Sequence, residues 1–138
     1  MSVYVDSSVF MRFVMQQPDR LDEVSSFDER ITSQLTQAEC LRTLDKAMLT
    51  RGLTPEGMTV RATVVHHMLR QTRRVRVTRS VLDRAGSAFP LPIRTLDAIH
   101  LATALQIRDR GHEDLLFATH DRLQGKTALA LGFRVLGL

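Results

Sequence analysis

Apolar residues along this chain come in short clusters of two kinds, and their order predicts strands alternating with helices. The opening segment Ser2 to Val5 is apolar and β-branched, as a brief buried strand should be, and it stops at Asp6. Ser7 or Ser8 is then expected to cap a helix that carries Val9, Phe10, Phe13 and Val14 on one side, with Pro18 and Asp19 closing it. A second strand is predicted at Arg30-Ile31-Thr32. Ser33 or Thr36 is placed to cap the next helix, whose apolar face is Ala38, Leu41, Leu44 and Met48. Gly52 and Pro55 separate that helix from another at about Glu56 to Leu69. Val75-Arg76-Val77-Thr78 alternates and predicts a strand, and Pro90 and Pro92 mark a loop. From Thr95 the residues Ala98, Leu101, Ala102 and Leu105 fall on one helical face until Gly111. Leu115 to Ala118 reads as a buried strand, Leu123 to Leu131 as a helix and Phe133 to Leu136 as a last strand. Strands and helices in this order imply a parallel sheet with helices on both faces.

Length keeps the picture simple. The chain has 138 residues, enough for one domain spanning 1–138, and 43% of them are apolar, enough for a core. Asp6 interrupts the apolar opening, so neither a membrane span nor a signal peptide is expected there. Cys40 is the one cysteine, which excludes an internal disulfide and fits a reducing, cytoplasmic setting.

Charge changes the picture more. The formal net charge is +4, and Lys46 and Lys126 are the only lysines among 19 cationic residues. Arginine suits bidentate contact to phosphate, and a basic chain suits a polyanion. The densest basic run is Arg70, Arg73, Arg74, Arg76 and Arg79, which either grips phosphates or forms a solvated face. Tyr4 is the only tyrosine and tryptophan is absent, so backbone contacts should outweigh base stacking.

Four acids occupy positions where open α/β sheets bind ligands. Asp6 and Asp121 follow strand-like runs, Glu39 lies early in its helix, and Asp97 is in the first turn after Thr95. Each has an ordinary alternative: a helix cap for Asp6, a dipole contact for Asp97, an exposed helix position for Glu39 and an Asx-turn for Asp121. Together they would repel one another unless a cation intervened. Oxygen ligands without a Cys or His set favour Mg²⁺, with Mn²⁺ as a substitute, and such ions activate water for phosphodiester hydrolysis.

At these four places the sequence resembles the PIN-domain family and, within it, the VapC toxins of toxin–antitoxin pairs. The segments are VYVDSSVF around Asp6, ITSQLTQAECLRTL around Glu39, LPIRTLDAIHLATAL around Asp97 and LLFATHDRLQGKTALALGFRVL around Asp121. The third is the most specific. The resemblance implies a PIN fold, a doubly wound and mainly parallel sheet of about four to five strands flanked by helices on both faces. It implies a Mg²⁺-dependent endoribonuclease with Asp6, Glu39, Asp97 and Asp121 as catalytic acids, Asp6 and Asp97 as the direct metal ligands, and Ser7 and Thr119 as supporting hydroxyls. It also implies a homodimer and a VapB-like antitoxin that covers the active site. Arg94, Arg74 and Arg76 are the candidate RNA contacts, and His100, one turn beyond Asp97, is assigned a packing role.

Other readings are weaker. A non-catalytic RNA-binding module of the same fold would not need the acids. A phosphoacceptor receiver-like domain would need a lysine on a late strand, whereas Lys126 falls in a helix. Gly125-Lys126-Thr127 imitates the end of a phosphate-binding loop, but His120 stands where the loop requires glycine. His66, His67 and His112 lack partners at metal-ligand spacing.

Overall fold

The computed structural model describes all 138 residues, and its centre is a five-stranded sheet whose pairings are all parallel. The strands are β1 (Ser2–Val5), β2 (Glu29–Ser33), β3 (Arg73–Val75), β4 (Leu116–Ala118) and β5 (Arg134–Leu136), in the spatial order β3-β2-β1-β4-β5. The helices are α1 (Ser7–Val14), α2 (Leu35–Thr50), α3 (Pro55–Arg70), α4 (Arg79–Ala85), α5 (Thr95–Asp109) and α6 (Arg122–Ala130). A 3₁₀ turn at Asp22–Ser26 joins α1 to β2. None of the helices is long and apolar enough to cross a membrane.

Two-residue periodicity in the strands divides the core between the faces. Val3, Val5, Leu116 and Ala118 pack with Val9, Cys40, Leu44 and Leu69 from α1, α2 and α3. Tyr4, Phe117 and Leu115 pack the other way, on Leu101, Leu105 and Ala128 from α5 and α6. The chain passes from β3 at one edge to β4 beyond β1, so the strand order reverses between β1 and β4. Such a reversal leaves a crevice beyond the strands' C-terminal ends.

Local departures from the expected elements have definite causes. Asp6 itself caps α1, its side chain accepting from the Ser8 amide, where Ser7 or Ser8 was expected to do so. At α2, Ser33 Oγ accepts from Leu35 N while Thr36 pairs with the Thr32 hydroxyl inside the core. The strand expected over 75–78 is displaced: ladder pairing ends at Ser33 with Val75. Val77 continues extended and packs with Val81 and Ile99, so the alternation is real although the sheet has ended. Thr78 then caps α4, an element that the sequence pattern does not announce.

Candidate active site

Asp6 continues β1 past the sheet. Its amide donates to Ala118 O at 3.0 Å, fixing the backbone between the two central strands. The residue is 3% exposed, so its carboxylate needs donors. Oδ2 accepts from Ser8 N at 3.2 Å, Ser8 Oγ at 2.7 Å and Thr119 Oγ1 at 3.3 Å. Oδ1 lies 3.5 Å from His100 Nε2. Of the two hydroxyls expected near Asp6, Thr119 lies on its carboxylate and Ser7 does not; the serine in contact is Ser8. Ser7 lines the neighbouring cleft.

His100 does more than pack. It is fully buried, with Nε2 2.5 Å from Glu39 Oε1 and Nδ1 2.7 Å from the Tyr4 hydroxyl. The Tyr4 ring stacks on Phe117, which anchors the chain from sheet to imidazole to Glu39. Burial pulls the imidazole pKa down, but the hydrogen bond to Glu39 and the charges of Asp6, Glu39 and Asp97 outweigh it, and the net shift is upward. The i, i+3 spacing from Asp97 was the available signal; the second acid, 61 positions away, was invisible locally.

Asp97, in the first turn of α5, is half-buried, and its pKa is pushed up to about 6. Burial is the main cause, followed by the charges of Asp121 and Asp6; His100 opposes the rise and Glu39 adds to it. Asp121 is exposed and caps α6 through Gln124 N at 2.8 Å, so its ordinary role and its place among the acids coexist. Two open depressions meet at Asp97 and Asp121. One, of about 670 Å³ between α1 and α2, includes Asp6; the other, of about 760 Å³, includes Glu39, Arg94, Leu96 and Leu123.

The acids are electrostatic neighbours without being a finished metal shell: no three His, Cys, Asp or Glu side chains stand together in ligating geometry. The donor chemistry still suits a hard cation. Mg²⁺ commonly takes one or two carboxylates and keeps several waters, so it does not require a closed protein cage.

Of the expected RNA contacts, Arg94 does line the acidic hollow. Arg74 and Arg76 are exposed away from both depressions, Arg74 donating to Gln37 Oε1 at 3.1 Å. Arg73 is tied to Glu29. The cations that do line the cleft containing Asp6 are Arg12, Lys46 and Arg51, which the sequence does not single out. Arg12 is paired with Asp19, while Lys46 and Arg51 take part in no ion pair. Their signal is the helical row running down α2 from Glu39 through Thr43 to Lys46 and Thr50, weaker in sequence than the dense arginine run.

This fold and site define a class. A sequence model of the PIN domain matches residues 3–130, and the chain belongs to the PIN-domain family. Among its relatives, ribonuclease VapC46 of Mycobacterium tuberculosis is 32% identical over 98% of this chain and 96% of its own length. Ribonuclease VapC47 of the same species is 28% identical over 86% and 84%. Solved structures agree in fold. A toxin–antitoxin complex from Klebsiella pneumoniae has a chain with TM-score 0.70 at 14% identity, covering 99% of this chain and 98% of that one. VapBC2 from Rickettsia felis, bound to a promoter DNA fragment, gives 0.66 at 11% identity, with coverage of 99% and 98%.

Proposed function

We propose that this chain is a metal-dependent endoribonuclease and the toxin of a toxin–antitoxin pair. The observation that carries the reading is the convergence of Asp6, Glu39, Asp97 and Asp121, from four separate segments, on two adjoining hollows where burial, reinforced by the neighbouring carboxylates, raises Asp97 to about 6. The ribonuclease names of the relatives at 32% and 28% identity support it. Asp6 and Asp97 would hold Mg²⁺ or Mn²⁺, which when bound lowers the pKa of water and neutralises charge on a phosphate.

The chain's own groups supply the rest. Three donors on Oδ2 stop the Asp6 carboxylate from turning. His100 Nε2 holds Glu39 by Oε1, leaving Oε2 to accept a proton from water. Lys46, Arg51 and Arg94 line the approaches and draw RNA phosphates toward acids that would otherwise repel them.

An antitoxin resembling VapB is the expected inhibitor, and a cationic side chain placed by it among the acids would be charge-matched. A homodimer is the expected assembly, checked by light scattering of the purified chain. The catalytic reading is tested by incubating purified protein with cellular RNA and Mn²⁺. Wild type should cleave, and Asp6→Asn and Asp97→Asn, each folded by circular dichroism, should lose at least about 100-fold in rate. Cleavage at equal rates by all three would refute it.

A further inference from the structure

Gln124 stands out because it is a fully buried amide with an unpartnered nitrogen. It is 0% exposed on α6, and its Nε2 has no hydrogen-bond partner. Its Oε1 is 2.8 Å from Thr119 Oγ1, and its backbone amide holds Asp121. A buried donor left without a partner is costly, so its retention needs a reason.

Proton counting at Thr119 supplies one. A threonine hydroxyl has one proton and two lone pairs. Asp121 N already donates to Thr119 Oγ1 at 2.9 Å, which uses one lone pair. Three acceptors then compete for the single proton, Gln124 Oε1 at 2.8 Å, Asp6 Oδ2 at 3.3 Å and Ser8 Oγ at 3.4 Å. A half-turn of the amide exchanges its oxygen and nitrogen within the same volume. Nε2 then donates to Thr119, the second lone pair is filled, and the hydroxyl proton is left with Asp6 Oδ2 at 3.3 Å and Ser8 Oγ at 3.4 Å, of which the charged carboxylate oxygen is the stronger acceptor. The unpaired group becomes a carbonyl, which proteins bury alone more readily than an N–H.

We infer that Gln124 is a positioning residue that acts through Thr119: its amide nitrogen donates to Thr119 Oγ1 and commits the hydroxyl proton to Asp6. With Ser8 N and Ser8 Oγ this gives Oδ2 three donors and fixes the rotation of the carboxylate. The same residue also anchors Asp121, so α6 orients two of the four acids from one position. This inference rests on the reading of Asp6 as a metal ligand.

Calorimetric titration with Mn²⁺ in the absence of RNA tests it. Gln124→Leu removes the amide while keeping an apolar volume, and should weaken Mn²⁺ binding roughly 3- to 10-fold with no loss in melting temperature. Partners that orient metal ligands typically contribute about 10- to 100-fold, so Thr119→Val should lose at least as much. The double variant should bind no worse than Thr119→Val alone, because the two groups act in series. Gln124→Met serves as a second variant should Gln124→Leu not fold. Wild-type affinity in both Gln124 variants, or losses that multiply in the double variant, overturns the positioning role. In that case Asp6→Asn shows which idea has failed: if it alone abolishes Mn²⁺ binding, the metal reading survives without Gln124. If wild type itself binds no Mn²⁺, both fall.

Discussion

Asp97 carries a proton more tightly in the folded chain than in the unfolded one, its pKa rising from 3.8 to about 6. A raised carboxyl pKa favours the fold at low pH: the contribution is fully present below about 3.8 and lost as pH rises through about 6. Metal-free protein should therefore melt at a higher temperature at pH 5 than at pH 7. His100, also raised, acts in the same direction. Burial lowers the His120 imidazole, which opposes them as pH falls below about 6.5, so Asp97→Asn is the comparison that isolates Asp97; the lowered carboxyls of Asp28 and Glu29 act only below about 4.5, outside this window. Asp97→Asn should shrink the difference, and so should saturating Mn²⁺. A pH 5 to 7 melting profile unchanged by Asp97→Asn would show that this carboxyl is not under strain.

Gly137 makes a second prediction for a single residue. Its φ is +98°, and a β-carbon there would collide with the Thr119 carbonyl oxygen. Thr119 N in turn donates to Leu136 O at 3.0 Å, so the end of β5 braces the residue that steadies Asp6. Gly137→Ala should cost at least about 1–3 kcal/mol in denaturant unfolding and weaken Mn²⁺ binding together. Lost stability with unchanged metal affinity would detach this brace from the site.

At the level of elements, the proposed function makes α2 the link between the acids and the RNA. Glu39 lies in its early turns, Lys46 about 10 Å further along for 7 residues at 1.5 Å each, and Arg51 at its C-cap about 18 Å along for 12. Lys46→Ala and Arg51→Ala should each reduce by about 1 the slope of log affinity against log salt for single-stranded RNA, in Ca²⁺ or without metal to prevent turnover. Arg76→Ala should leave it unchanged; the reverse pattern would return the substrate path to the arginine run.

Elements also show what was legible from sequence. β1, β4 and β5 are short apolar runs with nothing to compete, and the acids follow from their places after strands or early in helices. α4 was hidden because its one apolar turn, Val81 and Leu82, sits among Arg79, Asp83 and Arg84, too brief for a periodic signal. The extended segment through Val77 looked like strand because burial alternates along it whether or not a neighbour pairs with it. Ser8, His100, Lys46 and Gln124 acquire their roles from residues distant in sequence. Nothing in the local pattern distinguishes Ser8 from Ser7, or a buried Gln124 from an exposed one.

Across the whole molecule, the strand reversal between β1 and β4 brings Asp6 and Thr119 side by side, while α5 and α6 carry Asp97 and Asp121 to the same end. The acids therefore belong to four separate parts of the fold, and a cation held between Asp6 and Asp97 would tie β1 to α5. Mn²⁺ at about 100 times its dissociation constant should stabilise the native chain by about 2.7 kcal/mol, read as a rise in melting temperature. A rise equal in Asp6→Asn would place the ion elsewhere.

Asp97 and Asp121 line both depressions, one of which extends toward Lys46 and Arg51 and the other toward Arg94, Leu96 and Leu123. On the proposed function, an RNA strand that reaches both sets of cations passes the two acids, bringing one of its linkages over them. Blocking either depression would obstruct that passage. A molecule wedged against Leu96 and Leu123 should consequently compete with RNA despite never touching α2.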